Sequence, residues 1–286
     1  MHRRTLLTLA GSALAAACTP SLGAFDAVAP RDGGARKVLS DSPYGPLPRQ
    51  RLNLFAPEPL DGPAPVLVFI HGGSWASGDN SEYDFAGAAF ASRGFVTAIP
   101  NYRLVPEVRF PSFLEDCALA VRWVQDNAAT HGGDPNRIVL VGHSAGAYNA
   151  VMLALDPRYL VGVGADLQRI RGVAGIAGPY DFLPFDVPAS QNAFGAAPDP
   201  AATQPISFAR ADAPPLLLLW GEDDETVGPR NIEGLERAMR GAGGAVETKR
   251  YANVNHVDIL LALSRPLRGQ APVLADVTEF AQRVTA

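Results

Sequence analysis

The chain has 286 residues, 47% hydrophobic and 19% charged, with a net charge of −5. This is the balance of a globular chain with enough apolar residues for a sizeable core. Its acidity, with no Lys/Arg-rich run beyond the first few residues, excludes an extended nucleic-acid-binding face. Two cysteines cannot build a disulfide framework.

Residues 1–18, "MHRRTLLTLAGSALAAAC", have a basic start, an apolar stretch from Leu6 and small residues up to Cys18. The stretch is too short to span a bilayer and reads as an export signal, giving a periplasmic or membrane-anchored protein. Arg3-Arg4 followed by Thr5-Leu6-Leu7 resembles a twin-arginine signal. Ala16-Ala17-Cys18 resembles a lipoprotein cleavage site, with Cys18 as the lipidated residue and membrane tether. Residues 19–48 are rich in Pro, Gly, Ala and Asp, lack sustained periodicity and read as a linker or arm.

From about Arg49 onward the pattern becomes regular, and residues 49–286 read as one domain. "RQRLNLFAP" alternates as a half-buried edge strand would. "PVLVFI", "FVTAI", "RIVLVG", "GVAGIAG" and "PLLLLW" are short apolar runs suited to strands covered on both faces. Between them lie helical patterns: "EYDFAGAAFASRG", "SFLEDCALAVRWVQDNAA", "AGAYNAVMLAL" and "PRNIEGLERAMRGAG". The strand-like "VETKRYA" and a helix around "VLADVTEFAQRV" follow. This alternation predicts an α/β domain with a mostly parallel sheet flanked by helices. Residues 179–215 show no clear pattern; a segment of that length suits a lid or binding element and is too short for a separate cap domain.

Chemistry concentrates at Gly142-His143-Ser144-Ala145-Gly146. An apolar strand runs into this Gly-x-Ser-x-Gly pattern and an apolar helix leaves it, the context of a strained turn that raises a serine hydroxyl above the sheet. Glycines flank the serine because side chains there would meet neighbouring backbone. Ser144 is therefore the candidate nucleophile, and it requires a base. Of the five histidines, His2 lies in the signal and His143 belongs to the turn, its side chain expected to point away from the hydroxyl. His71 opens "HGGSW" and is expected to prop up that loop. His131 lies at the opposite end of the sheet. His256, just after the last strand-like segment, remains. "LLLLWGEDDETVGP" supplies a carboxylate after a buried strand. Asp223 and Asp224 compete, and Asp224 is preferred by its spacing from Gly221 and Val227. The glycine-rich turn "HGGSWASGD" offers free N–H groups for a developing oxyanion. Gly73 and Ser74, with the N–H of Ala145, are the candidates, and Gly72 is the alternative. Loss of one such donor typically costs roughly 3–4 kcal/mol in the transition state.

These motifs, with "NYRLVPEVRFPSFLEDC" and "GGDPNRIVLVGHSAGA", resemble the α/β-hydrolase carboxylesterases over about residues 50–285. The nearest branch is the bacterial esterases with a feruloyl-esterase-like domain, BD-FAE, neighbours of the hormone-sensitive-lipase-like enzymes. The resemblance implies an α/β-hydrolase fold with a short lid and no large cap. It further implies serine-dependent hydrolysis of small carboxylic esters without metal or organic cofactor. Ser74 in place of a third glycine, and His143 where many lipase-like members carry aspartate, lean toward the feruloyl-esterase-like and kynurenine-formamidase-like branches. A formamide or amide hydrolase is thus the alternative, and a non-catalytic binding module on the same fold the remote one. Tyr102 and Arg103 are expected to buttress the oxyanion loop, Trp75 to pack it, and Cys117 to be a buried thiol.

Overall fold

The computed structural model describes residues 21–286; the segment expected to be an export signal, with Cys18, lies outside them. In chain order the elements are α1 (Leu22–Val28), β1 (Ala35–Pro43), β2 (Arg51–Pro57), β3 (Ala64–Ile70), α2 (Asp84–Ala91), β4 (Val96–Pro100), α3 (Ser112–Asn127), β5 (Gly133–His143), α4 (Ala145–Leu155) and α5 (Pro157–Gly162). There follow β6 (Ile170–Ile176), α6 (Pro188–Phe194), β7 (Leu216–Gly221), α7 (Arg230–Gly241), β8 (Val246–Tyr251), α8 (Asp258–Leu261) and α9 (Val273–Thr285). The strands form an eight-stranded sheet in the order β1-β2-β4-β3-β5-β6-β7-β8. β1–β2 and β2–β4 are antiparallel and the remaining pairs parallel.

The continuous apolar runs follow from burial on both faces. Successive strand side chains alternate faces: Val66, Val68 and Ile70 of β3 enter one core, Leu67 and Phe69 the other. β7 divides in the same way, Leu216, Leu218 and Trp220 against Leu217 and Leu219. The first core is completed by residues of α3, α4 and α7, the second by residues of α2, α8 and α9. This is the α/β-hydrolase arrangement expected from the sequence.

Two expectations are corrected. Residues 21–48, the described part of the expected 19–48 linker, are not a linker: they contain α1 and the edge strand β1, which pairs with β2. Two register shifts interrupt β1, at Lys37/Leu39 and Leu39/Ser42, and its burial does not alternate. A bulged edge strand leaves no period-two signal to read. The segment is tied down by Asp26, which accepts from Arg31 and from the Phe85 N–H at 2.8 Å, and by the Asp32–Arg268 ion pair. Consequently β2 is not an edge strand. It lies second, and its residues 52–56 are buried.

Chain order places the site. From β3 the chain crosses through α2 to β4 on one side, then returns through α3 to β5 on the other. β3 and β5 are thus adjacent, with Ile70 opposite Gly142 at their carboxyl ends. The crevice at such a reversal of strand order is where open α/β sheets bind ligands. The turns after both strands, "HGGSW" and Gly142–Gly146, open into it.

Candidate active site

The turn after β5 is held by steric exclusion. A Cβ on Gly142 would run into the carbonyl of Gly146, and one on Gly146 would run into the carbonyls of Ile70 and His71. Ser144 has φ 54° and ψ −121°, a conformation a non-glycine residue adopts at a cost of about 1–3 kcal/mol. Its N–H donates to Ile176 O at 2.8 Å and its carbonyl accepts from Tyr148 N at 3.1 Å, so packed neighbours hold the strain in place. The Ser144 Oγ stands at the N-terminus of α4, whose first N–H groups have no intrahelical acceptor.

His256 and Asp224 arrive from separate loops. His256 Nδ1 lies 2.7 Å from Asp224 Oδ2, and His256 Nε2 lies 2.9 Å from Ser144 Oγ. A carboxylate accepts, so Nδ1 carries the proton and Nε2 is the bare nitrogen facing the hydroxyl. The second Asp224 oxygen accepts from the N–H groups of Thr226 (2.9 Å) and Val227 (2.8 Å), and the Asp224 side chain is fully buried. Asp223, Glu222 and Glu225 are exposed. Of the two aspartates weighed from the sequence, Asp224 is the one bonded to the histidine, while Asp223 offers its N–H to Val254 O at 3.1 Å.

The turn after β3 has left-handed backbone at three successive residues: Gly73 (φ 119°), Ser74 (φ 54°) and Trp75 (φ 57°). The Gly73 carbonyl accepts from Ala76 N and Ser77 N at 3.0 and 2.9 Å, closing the turn. Among the described residues the N–H groups of Gly73, Ser74 and Ala145 have no acceptor. Ser74 and Ala145 line the same cavity as Ser144, whereas Gly73 lies outside its wall. The buttress expected of Tyr102 is present: its hydroxyl donates to His71 O at 2.9 Å, and burial pushes the phenol pKa up, so it stays a donor. Arg103 forms a bidentate pair with buried Asp116 of α3 at 2.8 and 2.9 Å, and does not touch the turn itself.

His71 props the loop as expected. Its ring stacks on Tyr102 with centroids 4.5 Å apart, and Nδ1–H donates to Gly72 O at 2.8 Å. Burial lowers its pKa to about 4, so the ring is neutral. His131 lies ahead of β5, at the end remote from Ser144, beside Trp123. His143 makes no hydrogen bond to Ser144 Oγ and has a partner that the sequence did not indicate: its Nε2 lies 2.9 Å from the backbone carbonyl of His256.

The cavity over Ser144 has a volume of about 350 Å3. One wall comes from the 179–190 segment, through Phe182, Leu183 and Val187; Trp75, whose ring lies 6.3 Å from that of Phe182, and Val227 continue the lining. The segment without clear pattern, expected to be a lid or binding element, contributes a cavity wall, with α6 at its end. Arg230 fastens it, bonding both Asp181 oxygens (2.9 and 2.8 Å) and Leu183 O (2.8 Å). Asn231 Oδ1 accepts from the N–H groups of Tyr180 and Asp181. Trp75 both packs its loop and walls the cavity: it lies edge-on to Phe194 at 4.7 Å and donates to Asn149 Oδ1 at 3.2 Å. Asn149 also donates to Cys117 Sγ at 3.7 Å; that thiol is fully buried, with its pKa pushed up. Sequence reasoning missed Asn149, Arg230 and Asn231. A lone asparagine within the apolar "AGAYNAVMLAL" was the one available signal. Among the described residues, no three His, Cys, Asp or Glu side chains converge in the manner of a metal site.

Comparison with known proteins places this geometry in context. The chain is similar to the isoprenylcysteine alpha-carbonyl methylesterase ICME of Arabidopsis thaliana, 27% identical across 85% of this chain and 61% of that protein. It is also similar to esterase LipQ of Mycobacterium tuberculosis, 31% identical across 79% of this chain and 58% of that protein. The chain thus spans about three fifths of the length of these relatives. Among solved structures, esterase B of Lactobacillus rhamnosis shares the fold with a TM-score of 0.79 at 21% identity, over 91% of this chain and 89% of that one. The BD-FAE family profile matches residues 52–239, from β2 to near the end of α7 and so across both turns and the Asp224 loop. With its sheet order and its strand-turn-helix at Ser144, the chain belongs to the BD-FAE family of α/β-hydrolases.

Proposed function

We propose that the protein is a serine carboxylesterase acting on small carboxylic esters with short-acyl or aryl groups. The observation that carries the reading is the continuous hydrogen-bonded line from Asp224 through His256 to Ser144, at 2.7 and 2.9 Å, opening into an apolar-walled cavity. The relatives and solved neighbours described as esterases and methylesterases support the reaction class.

In this mechanism the Ser144 Oγ attacks the ester carbonyl carbon as His256 Nε2 takes its proton. Asp224 holds the ring in the productive tautomer and stabilises the imidazolium. The carbonyl oxygen, now negative, is received by the N–H groups of Ala145 and Ser74, which line the cavity, while Gly73 outside the wall shapes the turn that presents Ser74. The imidazolium then protonates the departing alkoxide, leaving an acyl-serine. Water, deprotonated by the same nitrogen, releases the acid. A cavity of about 350 Å3 suits a short acyl chain or one aromatic ring. Larger substrates would extend past Val187, which is half exposed at the rim.

The test is hydrolysis of p-nitrophenyl acetate and butyrate by the full chain and by Ser144→Ala, together with labelling by a fluorophosphonate. Expected are a loss of at least about 10³-fold in kcat for the variant and a probe adduct on the Ser144 peptide. Equal rates for the two proteins would refute the reading, and faster turnover of N-formylkynurenine than of aryl esters would replace it with the formamidase. We also propose export with a lipid on Cys18, a reading that rests on residues 1–18 alone. Palmitate labelling of the wild-type chain and of Cys18→Ser tests it, and no label on the wild type would refute it.

A further inference from the structure

The histidine inside the serine turn lies where three separate loops meet. Its Nε2 is 2.9 Å from the backbone carbonyl of His256, 113 residues away in sequence. Its ring lies against that of His256, with centroids 4.9 Å apart. On the other side it abuts the oxyanion turn: a Cβ placed on Gly72 would sit 3.1 Å from His143 Nδ1 and 3.0 Å from the His143 carbonyl. A carbonyl can only accept, so Nε2 carries the proton and Nδ1 is a bare lone pair. Among the described residues that buried Nδ1 has no partner. Leaving such a buried acceptor unpaired is destabilising. An apolar side chain would pack there without that cost, so the donor on Nε2 is what distinguishes histidine at this position.

The loop that receives the bond needs it. Around His256 the backbone is organised from the C-terminal side, where Asn255 Oδ1 accepts from the N–H groups of Val257 and Asp258, both at 2.9 Å. The carbonyl of His256 itself has no other donor among the described hydrogen bonds. On the preceding side Asn253 is left-handed (φ 57°), and Val254 O accepts from Asp223 N at 3.1 Å. The His143 bond thus joins the base loop directly to the residue that precedes the nucleophile.

We propose that His143 is a positioning residue: its Nε2–H holds the His256 backbone at the spacing from which the imidazole reaches both Ser144 and Asp224. This rests on the hydrolase reading given above. It assigns the variable position of the serine turn a task that its neighbours in sequence do not suggest. The bond requires a donor that is always protonated and uncharged at working pH. Burial, and next to it the charge that His256 acquires, lower the His143 pKa to about 3, while the nearby Asp224 acts in the opposite direction. The ring therefore donates as a neutral imidazole and adds no positive charge beside the base during the reaction.

Three variants test this with p-nitrophenyl butyrate as substrate and the fold monitored by thermal unfolding. His143→Phe keeps a ring but removes the donor, and His143→Asn keeps a donor that falls short of the carbonyl. His143→Gln carries an amide N–H at about the reach of Nε2. Expected is a fall in kcat of about 10- to 100-fold for the Phe and Asn variants with KM within about twofold, the signature of a displaced catalytic group. Gln should restore kcat to within about threefold of wild type. The downfield proton resonance of the His256–Asp224 hydrogen bond should be present in wild type and Gln and lost in Phe and Asn. A folded Phe or Asn variant with wild-type kcat and an unchanged downfield resonance would overturn the proposal, as would a Gln variant as slow as Phe. Ser144→Ala measured in parallel separates the two readings. If it retains full activity, the hydrolase reading fails; if it is inactive while the His143 variants are unimpaired, only the role of His143 fails.

Discussion

The serine turn and the 179–190 wall face the same cavity and are held there by different means. The turn at residues 142–146 is fixed by what its backbone excludes: Gly142 and Gly146 have no space for a side chain, and Ser144 sits at φ 54° between two backbone hydrogen bonds. The wall is fixed by what its neighbours supply, an arginine and an asparagine on α7 that bond its carboxylate, carbonyl and N–H groups. Close packing tolerates almost no error, while polar ties at a surface yield gradually. The proposed nucleophile is mounted on the first kind of structure and the shape of the cavity on the second.

The sharpest way to break the rigid half is Gly146→Ala. The added methyl meets the Ile70 and His71 carbonyls of β3 and the turn after it, so either the strand pair or the turn must move. Activity should be lost entirely, and the urea unfolding free energy should fall by about 3 kcal/mol, at the upper end of overpacking costs. A variant of wild-type stability and rate would show that steric exclusion does not hold this turn. Asp224→Asn comes next. It should lower kcat by about 10⁴-fold, since an amide in place of the carboxylate favours the wrong tautomer of His256. The exposed Asp223→Asn should change kcat by less than about twofold, as surface substitutions usually do little. Equal effects from the two would reopen the choice of carboxylate.

The same contrast decides what could be read from the sequence. Small residues around Ser144 are a direct record of backbone collisions, and those collisions are local, so five residues sufficed. Asp224 and His256 followed from spacing after β7 and from elimination among five histidines, an argument that histidine scarcity made short. The apolar runs of β3, β5 and β7 were legible because both faces of each are buried. β1 was not, because two register shifts destroy its alternation. Nor was the wall, whose order comes from Asp181 meeting Arg230 and from the Tyr180 and Asp181 N–H groups meeting Asn231, about 50 residues downstream. The His143–His256 bond, across 113 residues, has no counterpart in any local pattern.

Acid sharpens the comparison from the side of stability, because the rigid half is built around two neutral histidines. His71 and His143 have pKa values lowered to about 4 and about 3, whereas each would titrate at 6.5 when solvated. Below pH 6.5 the unfolded chain therefore binds protons that the folded chain refuses, and stability falls as pH falls. The loss begins near pH 6.5 and continues until the folded-state values, about 4 and then about 3, are passed. Urea midpoints taken between pH 7.5 and 4.5 should decline. The decline should be shallower in His143→Gln, which has no such proton to refuse. An identical slope in the variant would mean that the His143 ring accepts a proton in the folded protein.

The smallest expected effect belongs to the wall. Arg230→Ala removes three hydrogen bonds from Asp181 and the Leu183 carbonyl, but the arginine is more than half exposed. Ion pairs of that exposure contribute about 0–1 kcal/mol, so the global unfolding free energy should change by no more than that. The consequence should instead be local. Asp181 and Leu183 would lose their tie to α7 while Asn231 still holds the N–H groups of Tyr180 and Asp181, leaving Leu183 and Val187 free to shift around Phe182, whose N–H still donates to Gln204 Oε1 at 2.8 Å. Those three residues bound the cavity without touching Ser144, His256 or Asp224 through any hydrogen bond. KM for p-nitrophenyl butyrate should therefore rise about three- to tenfold while kcat stays within about twofold, the pattern of lost uniform binding. The acetate, which reaches less of the wall, should show a smaller rise. If kcat fell instead, with KM unchanged, the wall would be coupled to the rigid half and the two means of support would not be separate.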